Sequence, residues 1–210
     1  MKVLIIGAGG HGEVVADILF KMWTRGLDIE LEGFLDDDEN LLGKRIMGLR
    51  VLGPVSAVND IAHDAVIVAV GDNATRKQFF DTLHEAGETF VTAIHPSAIL
   101  APDVVVEDGA MICAGAVVNP GAVIRANTIL NTSATVDHHN VIGPHAHVAP
   151  GVNLGGEVRV EEGALVGIGS TVMPRIAVGA WSVVGAGAAV TKNIPKNEIW
   201  LGVPARPYRK

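Results

Sequence analysis

The chain has 210 residues, a formal net charge of −7 and one cysteine, Cys113. This length allows one or two domains with a sizeable core, and the acidic balance argues against a nucleic-acid-binding protein, which would normally be basic. A single cysteine excludes an internal disulfide and fits a reducing compartment, so we expect a cytoplasmic protein. No stretch has the length of a membrane span, and glycines break the N-terminal apolar run too early for a signal peptide.

The first ninety or so residues predict alternating strands and helices around a parallel sheet. An apolar run over Lys2–Ile6 predicts a buried strand, and the second strand should end at Phe34 and Leu35. The other predicted elements are helices over residues 13–23 and 74–86 and strands over 65–70 and 89–93. This order is typical of a small βαβ unit.

A glycine-rich loop, residues 7–12, joins the first strand to the first helix and matches G-x-G-x-x-G. In that position glycines let the backbone approach a phosphate at a helix N-terminus. Asp36, at the end of the second strand, has the place of a ribose-binding acid. Because no second nucleotide-binding half follows, we favour a mononucleotide or nucleotide-sugar site over a nicotinamide dehydrogenase. The alternative is a structural turn without a ligand.

From Ile94 to Val190 an aliphatic residue recurs at every sixth position, seventeen times without an insertion. The fourth residue after each of these anchors is usually small or β-branched. A hexapeptide period is the mark of a parallel β-helix, and no α-helix explains it because six residues do not match 3.6 per turn. Three hexads should form one triangular coil, with the anchors stacked inside.

Histidines concentrate in one part of this repeat, where His138, His139, His145 and His147 follow one another closely. His138 lies two residues after the anchor Val136, so we expect it at the outer surface or a corner of the prism. Imidazole titrates near neutrality and therefore suits proton removal from an attacking amine or hydroxyl.

Several segments in order resemble one family. They are residues 5–12, residues 34–37, Gly71-Asp72-Asn73 with Arg76, His95-Pro96, residues 130–132, Asp137-His138, His147 and residues 202–206. The chain resembles the sugar acyltransferases of the hexapeptide superfamily, which include sialic acid O-acetyltransferases and the nucleotide-aminosugar N-acetyltransferases of bacillosamine and perosamine synthesis.

The resemblance implies an α/β Rossmann-like domain over residues 1–92, a left-handed parallel β-helix over 93–195 and a C-terminal tail over 196–210. It also implies a homotrimer with active sites between subunits. The left hand comes from the resemblance, not from the period.

The implied chemistry is acetyl transfer from acetyl-CoA to the 4-amino group of a nucleotide-linked 4-amino-4,6-dideoxy sugar, with no metal and no acyl-enzyme. His138 would be the general base, with Asn131, His139 and Asp137 beside it. The cofactor-binding residues would be His147, Gly156, Gly167, Ile168, Gly185, Ala186, Lys192 and Arg206. The substrate-binding residues would be Gly9, Gly10, His11, Asp36, Asp37, Gly71, Asn73 and Arg76.

One departure concerns the residue after the proposed base. The family usually has an acid there, and this chain has His139. Asp137 should face the side of His139 rather than that of His138, because neighbouring strand residues alternate. Asn140 occupies a small inward position and needs a hydrogen-bond partner there.

Other functions remain open at this point. A sialic acid-type O-acetyltransferase is the alternative within the family, and UDP, GDP and dTDP are all possible nucleotides. A zinc enzyme of the carbonic anhydrase type could use the four clustered histidines. A binding protein for nucleotide sugars without activity would explain the missing acid.

Overall fold

The computed structural model describes residues 1–208. Its internal contacts divide the chain into two compact units, Met1–Pro96 and a second that begins at Ser97. The predicted border lies a few residues earlier, after residue 92, and residues 196–208 of the predicted tail belong to the second unit. Residues 209 and 210 of that tail lie outside the described residues.

The first unit is an α/β domain around one five-stranded sheet. Its strands are β1 (Lys2–Ile6), β2 (Glu30–Leu35), β3 (Arg45–Ile46), β4 (Leu49–Gly53) and β5 (Ala65–Val68), followed by β6 (Ala93–Ile94) outside this sheet. Its helices are α1 (Gly10–Thr24) and α2 (Asn73–Glu85), with short 3₁₀ turns at Glu39–Leu41 and Val55–Asp60. The sheet order is β3-β4-β2-β1-β5, parallel except for the β3–β4 hairpin. The predicted βαβ unit is therefore present.

The β3–β4 hairpin was not predicted. Its turn places Met47 and Gly48 at φ 51° and 85°, the two positive dihedrals that a tight hairpin turn requires. β3 has only two residues, and Arg45 and Arg50 interrupt the apolar residues of the two strands, so no continuous apolar run marks them. The strand predicted over residues 89–93 is reduced to an isolated bridge at Phe90, followed by β6.

The second unit is a parallel β-helix of two-residue strands with three faces. The first face holds β7 (Ile99–Leu100), β10 (Val117–Val118), β13 (Thr135–Val136), β16 (Asn153–Leu154), β19 (Thr171–Val172) and β22 (Ala189–Val190). The second holds β8 (Val105–Val106), β11 (Val123–Ile124), β14 (Val141–Ile142), β17 (Arg159–Val160) and β20 (Ala177–Val178). The third holds β9 (Met111–Ile112), β12 (Ile129–Leu130), β15 (His147–Val148), β18 (Leu165–Val166), β21 (Val183–Val184) and β23 (Ile199–Leu201), against which β24 (Arg206–Pro207) runs antiparallel.

Each anchor is the second residue of its strand and points into the prism. Partners lie 18 residues apart, as in Val118 opposite Val136, except where β23 pairs with β21 at a spacing of 16. The predicted three-hexad coil is therefore confirmed. Val148 and Val166 stack on the third face and are both fully buried. Burying one such side chain stabilises the fold by roughly 1.5–3 kcal/mol, and the ladder repeats this gain in every coil.

From Val106 to Val184, the corners between faces turn through one residue of positive φ, three positions after each anchor. Glycine fills many of these positions, which is its usual role in left-handed backbone. Two of the exceptions are His139 at φ 58° and His145 at φ 59°. The left-handed region is unfavourable for a residue with a Cβ, so the coil geometry fixes the backbone of both histidines.

Neither α-helix within residues 1–208 has both the length and the apolar character that crossing a bilayer demands.

Candidate functional site

The glycine loop of the first unit divides into two kinds of glycine. Gly7 has φ 101°, and a Cβ on Gly12 would overlap the carbonyl oxygen of Gly7. A Cβ added to Gly9 or Gly10, at the start of α1, would meet no atom within 4 Å. The fold itself therefore requires Gly7 and Gly12, whereas the predicted substrate-binding pair Gly9 and Gly10 faces open space.

The two predicted acidic residues after β2 hold neighbouring loops. Asp36 accepts hydrogen bonds from the backbone N–H of Ala8 at 2.7 Å and of Asp38 at 2.8 Å. Asp37 accepts from the N–H of Val55 at 2.9 Å. Asp36 thus ties the end of β2 to the glycine loop, and it has only its remaining lone pairs for a ribose.

Arg76 stabilises the turn after β5 by hydrogen bonds from its buried guanidinium. This side chain is fully buried and donates to the carbonyl oxygens of Val70 at 3.0 Å and Gly71 at 3.3 Å, and to Oδ1 of Asn73 at 2.9 Å. Burial lowers the pKa of Arg76 to about 10, and the nearby Asp72 opposes that shift. In this position Arg76 holds Gly71 and Asn73 in place.

His11, in the first turn of α1, is held neutral. Burial lowers its pKa to about 4, and the positive charge of Arg76 adds to the shift.

Gly9, Asp36 and Gly71 follow β1, β2 and β5, so they lie at the carboxyl edge of three parallel strands. Ligands of open α/β sheets bind at that edge, and the predicted substrate-binding residues all lie there.

The predicted base, His138, lies exposed in the corner between the first and second faces, as predicted. Its Nδ1 lies 3.1 Å from Nδ1 of the exposed His139, and the two rings meet edge to face at 5.3 Å. A Cβ on Gly156 would lie 2.5 Å from Nε2 of His138, and one on Gly121 would lie 2.7 Å from Cδ2 of His139. Each ring therefore rests on a glycine of an adjacent coil.

Asp137 is occupied by other partners. Its Oδ1 accepts from Nδ2 of Asn119 at 2.9 Å and from the N–H of His138 at 2.8 Å, and these two bonds lower the pKa of Asp137. Within residues 1–208, no carboxylate is hydrogen-bonded to either imidazole ring of the pair. Asp137 therefore fixes the backbone of His138 and does not replace the missing acid.

Asn140 closes the same corner on the inside. It is fully buried, and its Oδ1 accepts from the N–H of Val158 in the next coil. The partner that the sequence required is thus a backbone amide. Its Nδ2 has no hydrogen-bond partner among the described atoms.

An open groove of about 740 Å³ begins at the histidine pair and runs along the second face. Its lining residues are His138, His139, Val141, Glu157, Arg159, Arg175, Ile176 and Ala177. Arg159 and Arg175 were not among the predicted site residues. The signal was present, because Arg159 lies 18 residues after Val141, and Arg175 lies 36 after His139. Applying the coil period to charged residues as well as to anchors would have found them.

Asn131 and His147 meet at another corner, between the third and first faces. Nδ2 of Asn131 lies 3.1 Å from Nε2 of His147, and Oδ1 of Asn131 accepts from the N–H of Thr132 at 2.8 Å. Because Nδ2 only donates, Nε2 of a neutral His147 accepts and its Nδ1 carries the proton. Within one chain the first face separates this pair from His138, so one copy does not bring Asn131 beside His138.

The predicted cofactor-binding residues occupy two columns of the prism. Gly156 and Lys192 stack above His138, one and three coils away, while Gly167 and Gly185 stack above Asn131. Ile168 is 61 % exposed, Ala186 is exposed beside Gly185, and Arg206 in β24 donates to the carbonyl oxygen of Ala205 at 2.8 Å.

Contacts within the chain already require glycine at two positions of these columns. A Cβ on Gly167 would overlap the carbonyl oxygen of Val184, and one on Gly185 would overlap Cδ2 of Leu201. Close packing between coils therefore explains both residues without a cofactor.

Cys113 takes no part in this arrangement. It is buried, and burial raises the pKa of its thiol to about 12, so it holds its proton at neutral pH.

The four clustered histidines have different partners, because His145 pairs with Asn127 at 2.8 Å and His147 with Asn131. In the part of the chain that the structure describes, no three His, Cys, Asp or Glu side chains are placed to hold one metal ion.

Comparison with known proteins relates both units to one group. Residues 2–83 match the family described as the PglD N-terminal domain. UDP-N-acetylbacillosamine N-acetyltransferase of Bacillus subtilis is 40% identical over 119 residues, which are 54% of this chain and 51% of that protein. The match thus spans about half the length of that relative.

Two solved structures match along the whole chain. The acetyltransferase domain of PglB from Neisseria gonorrhoeae, in complex with acetyl coenzyme A, is 34% identical with a TM-score of 0.91, covering 99% of this chain and 98% of that one. PerB from Caulobacter crescentus, in complex with CoA and GDP-perosamine, is 32% identical with a TM-score of 0.91, covering 100% and 98%. The predicted fold class, an α/β domain followed by a left-handed parallel β-helix, is confirmed.

Proposed function

The chain belongs to the hexapeptide-repeat sugar acyltransferases, and from this premise we propose that it transfers the acetyl group of acetyl-CoA to the amine of a nucleotide-linked amino sugar. The observation that carries the proposal is the histidine pair His138–His139 at the head of an open groove. The structural relatives were solved with acetyl-CoA, or with CoA and GDP-perosamine, which supports both substrates.

His138 is the proposed general base. Its side chain is exposed, and its Nε2 faces the small Gly156, which leaves room beside this nitrogen. As the sugar amine attacks the thioester carbonyl, a C–N bond forms, the C–S bond breaks, and Nε2 takes the amine proton. The proton can then pass to the departing sulfur. A base of this kind contributes about 10²–10⁴-fold to rate.

His139 orients the base in place of the usual acid. The contact between the two Nδ1 atoms needs one N–H and one lone pair. If His138 donates its Nδ1–H, its Nε2 is free to act as the base, and His139 accepts as a neutral ring. A neutral acceptor fixes the tautomer as a carboxylate would, but it adds no negative charge to stabilise the imidazolium that forms.

The donor site would lie along the prism toward its C-terminal coils. Lys192 stands three coils above His138, about 14 Å away at the usual strand spacing, and its exposed ammonium suits the phosphates of CoA. Gly156 lies between them in the same column. The other proposed cofactor residues are His147, Gly167, Ile168, Gly185, Ala186 and Arg206. Asn131, which contacts His147, remains a proposed catalytic residue.

The nucleotide would bind at the carboxyl edge of β1, β2 and β5. Gly9, Gly10 and His11 at the start of α1 present backbone N–H groups, and Asp36, Asp37, Gly71 and Asn73 surround that edge. The choice among UDP, GDP and dTDP is decided by substrate panels.

A homotrimer would complete the active site. His138 lies at one corner of the prism and the Asn131–His147 pair at another, so one pocket can include both only if a second copy supplies the missing corner. Exposed apolar residues on the outside of the second unit, such as Ile99 and Met173, are available for that contact. Sedimentation equilibrium tests this proposal, and a monomer at working concentration contradicts it.

The direct test of function is release of CoA thiol from acetyl-CoA with a panel of UDP-, GDP- and dTDP-linked 4-amino-4,6-dideoxy sugars. We expect turnover with one nucleotide, and His138→Ala should lower kcat by about 10²-fold or more while the fold is retained. The exposed His84 on α2 provides the control substitution, His84→Gln. Silence of the folded wild type across the panel contradicts the proposal.

A further inference from the structure

Arg159 is a charged residue among apolar ones on the outer side of the second face. The outward residues of this face are Val105, Val123, Val141, Arg159 and Ala177, one from each strand. Arg159 is exposed, and within residues 1–208 it makes neither a side-chain hydrogen bond nor a salt bridge. Val141 and Ala177 flank it in the preceding and following coils, so its charge stands on an apolar surface.

A second guanidinium faces the same groove. Nε of Arg175 lies 3.5 Å from Oε1 of Glu157, and the two side chains are 78% and 52% exposed. Exposed pairs of this kind contribute about 0–1 kcal/mol, so Arg175 can leave Glu157 for a stronger partner. The groove at the proposed base therefore carries two arginines and one carboxylate, in a chain whose net charge is −7.

Two arginines on one wall suit a phosphoryl group. The planar guanidinium presents paired N–H donors that match phosphate oxygens, and such charge-assisted bonds are about twice as strong as neutral ones. Both substrates of the proposed reaction carry a diphosphate. Their diphosphates differ in how far they stand from the atoms that react.

The coil spacing favours the sugar substrate as the source. Arg159 belongs to the coil that follows His138, about 5 Å further along the prism at the usual strand spacing. In the acceptor, one sugar ring separates the reacting 4-amine from the anomeric oxygen that bears the diphosphate. In acetyl-CoA, the whole pantetheine arm separates the thioester from its diphosphate, which fits the more distant Lys192.

We propose that Arg159, assisted by Arg175, binds the sugar-proximal phosphoryl group of the nucleotide-sugar acceptor and so sets the sugar amine beside His138. This inference rests on the proposed function and adds a specificity site to it. The site selects sugars activated as diphosphates over free sugars and sugar monophosphates. The glycine loop keeps its proposed role toward the nucleotide.

The test compares Arg159→Gln with Arg159→Lys and with the control Arg125→Gln. Arg125 is an exposed arginine paired with Glu107, outside the groove. We expect Arg159→Gln to raise KM for the nucleotide sugar about tenfold or more, the loss of one charge-assisted hydrogen bond, with kcat and the KM for acetyl-CoA little changed. Arg159→Lys should recover part of the loss, Arg175→Gln should show a smaller effect, and Arg125→Gln should show none.

Different outcomes overturn the assignment in different ways. A rise in KM for acetyl-CoA alone, absent with acetyl-pantetheine, would place the CoA diphosphate at Arg159. Unchanged KM values for both substrates would remove the subsite. A change in sedimentation of Arg159→Gln would make Arg159 an interface residue between copies.

Failure of the proposed function is separable. If the wild type turns over no sugar, calorimetric titration with UDP, GDP and dTDP against wild type and Arg159→Gln still shows whether this arginine binds a diphosphate. Binding weakened in the variant supports the subsite without catalysis, and equal binding or none overturns it.

Discussion

Nδ1 of His138 lies 3.1 Å from Nδ1 of His139, the next residue along the chain. The contact exists because a coil corner forces His139 to φ 58°, while its ring rests on Gly121 of the preceding coil. His139 thus forms the turn at the corner and also contacts the proposed base. The lone pair on its neutral ring can orient His138 as a carboxylate would.

Substitutions of His139 should separate orientation from charge. We expect His139→Asn to keep much of the activity, because Asn tolerates positive φ and its Oδ1 accepts a hydrogen bond. His139→Leu should lower kcat, since it offers no acceptor. His139→Asp keeps an acceptor and adds a negative charge that stabilises the imidazolium formed during the reaction, so its kcat should exceed that of the neutral His139→Asn. Equal kcat values for His139→Leu and the wild type would contradict an orienting role.

Gly156→Ala should reduce activity without unfolding the protein. The added methyl would lie 2.5 Å from Nε2 of His138, and the exposed imidazole can swing away from it. Gly167→Ala is the contrasting variant, because its methyl would meet the carbonyl of Val184, which cannot move aside. Thermal melting and kcat measured together should show Gly156→Ala folded but slow and Gly167→Ala destabilised. A fully active Gly156→Ala would mean that the ring does not work from this position.

Stability should fall as the pH falls from about 6.5 to about 4. Folded His11 has a pKa of about 4 against its ordinary 6.5, so over this interval the unfolded chain binds more protons than the folded one. The loss is at most about 3 kcal/mol from this residue. The free energy of unfolding of His11→Gln, measured by urea titration, should depend less on pH. Burial also lowers the pKa of His95, so the free energy of unfolding of His11→Gln should still decrease somewhat as the pH falls.

The matched control for His11→Gln is His84→Gln, which removes an exposed imidazole from α2. It should leave the wild-type pH dependence in place. Equal slopes for wild type and His11→Gln would show that His11 is not held neutral by the fold.

Val166→Asp should disrupt the β-helix, whereas Thr171→Asp should not. Val166 is fully buried in the anchor ladder, and an unpaired carboxylate there costs several kcal/mol. Thr171 has the outward position of its own strand and is exposed. Circular dichroism and soluble yield should separate the two variants, and a normally folded Val166→Asp would contradict the ladder as the main source of stability.

The β-helix could be predicted without any structure, because an aliphatic residue at every sixth position can be read directly from the sequence. Recognising this period requires no knowledge of which strands pair. The hexad register also placed His138 at an outer corner, whereas the apolar run over Lys2–Ile6 placed the glycine loop at the end of β1. For the first unit, the apolar runs of β1, β2, β5 and both helices are long enough to be found. The strands β3 and β4 were missed, since β3 has only two residues and arginines interrupt the apolar residues of both strands. They form because β4 pairs with the edge of β2 and β3 pairs with β4.

The meeting of the site residues depends on how the chain folds. Stacking at 18-residue intervals sets His138 against Gly156 and brings Arg159 to the same groove, although nothing in the local sequence marks that arginine. Packing also turned Arg76 from a predicted ligand contact into a buried support of Gly71 and Asn73. Such contacts depend on side-chain direction and on competition among hydrogen-bond partners, and spacing along the chain carries no information about either.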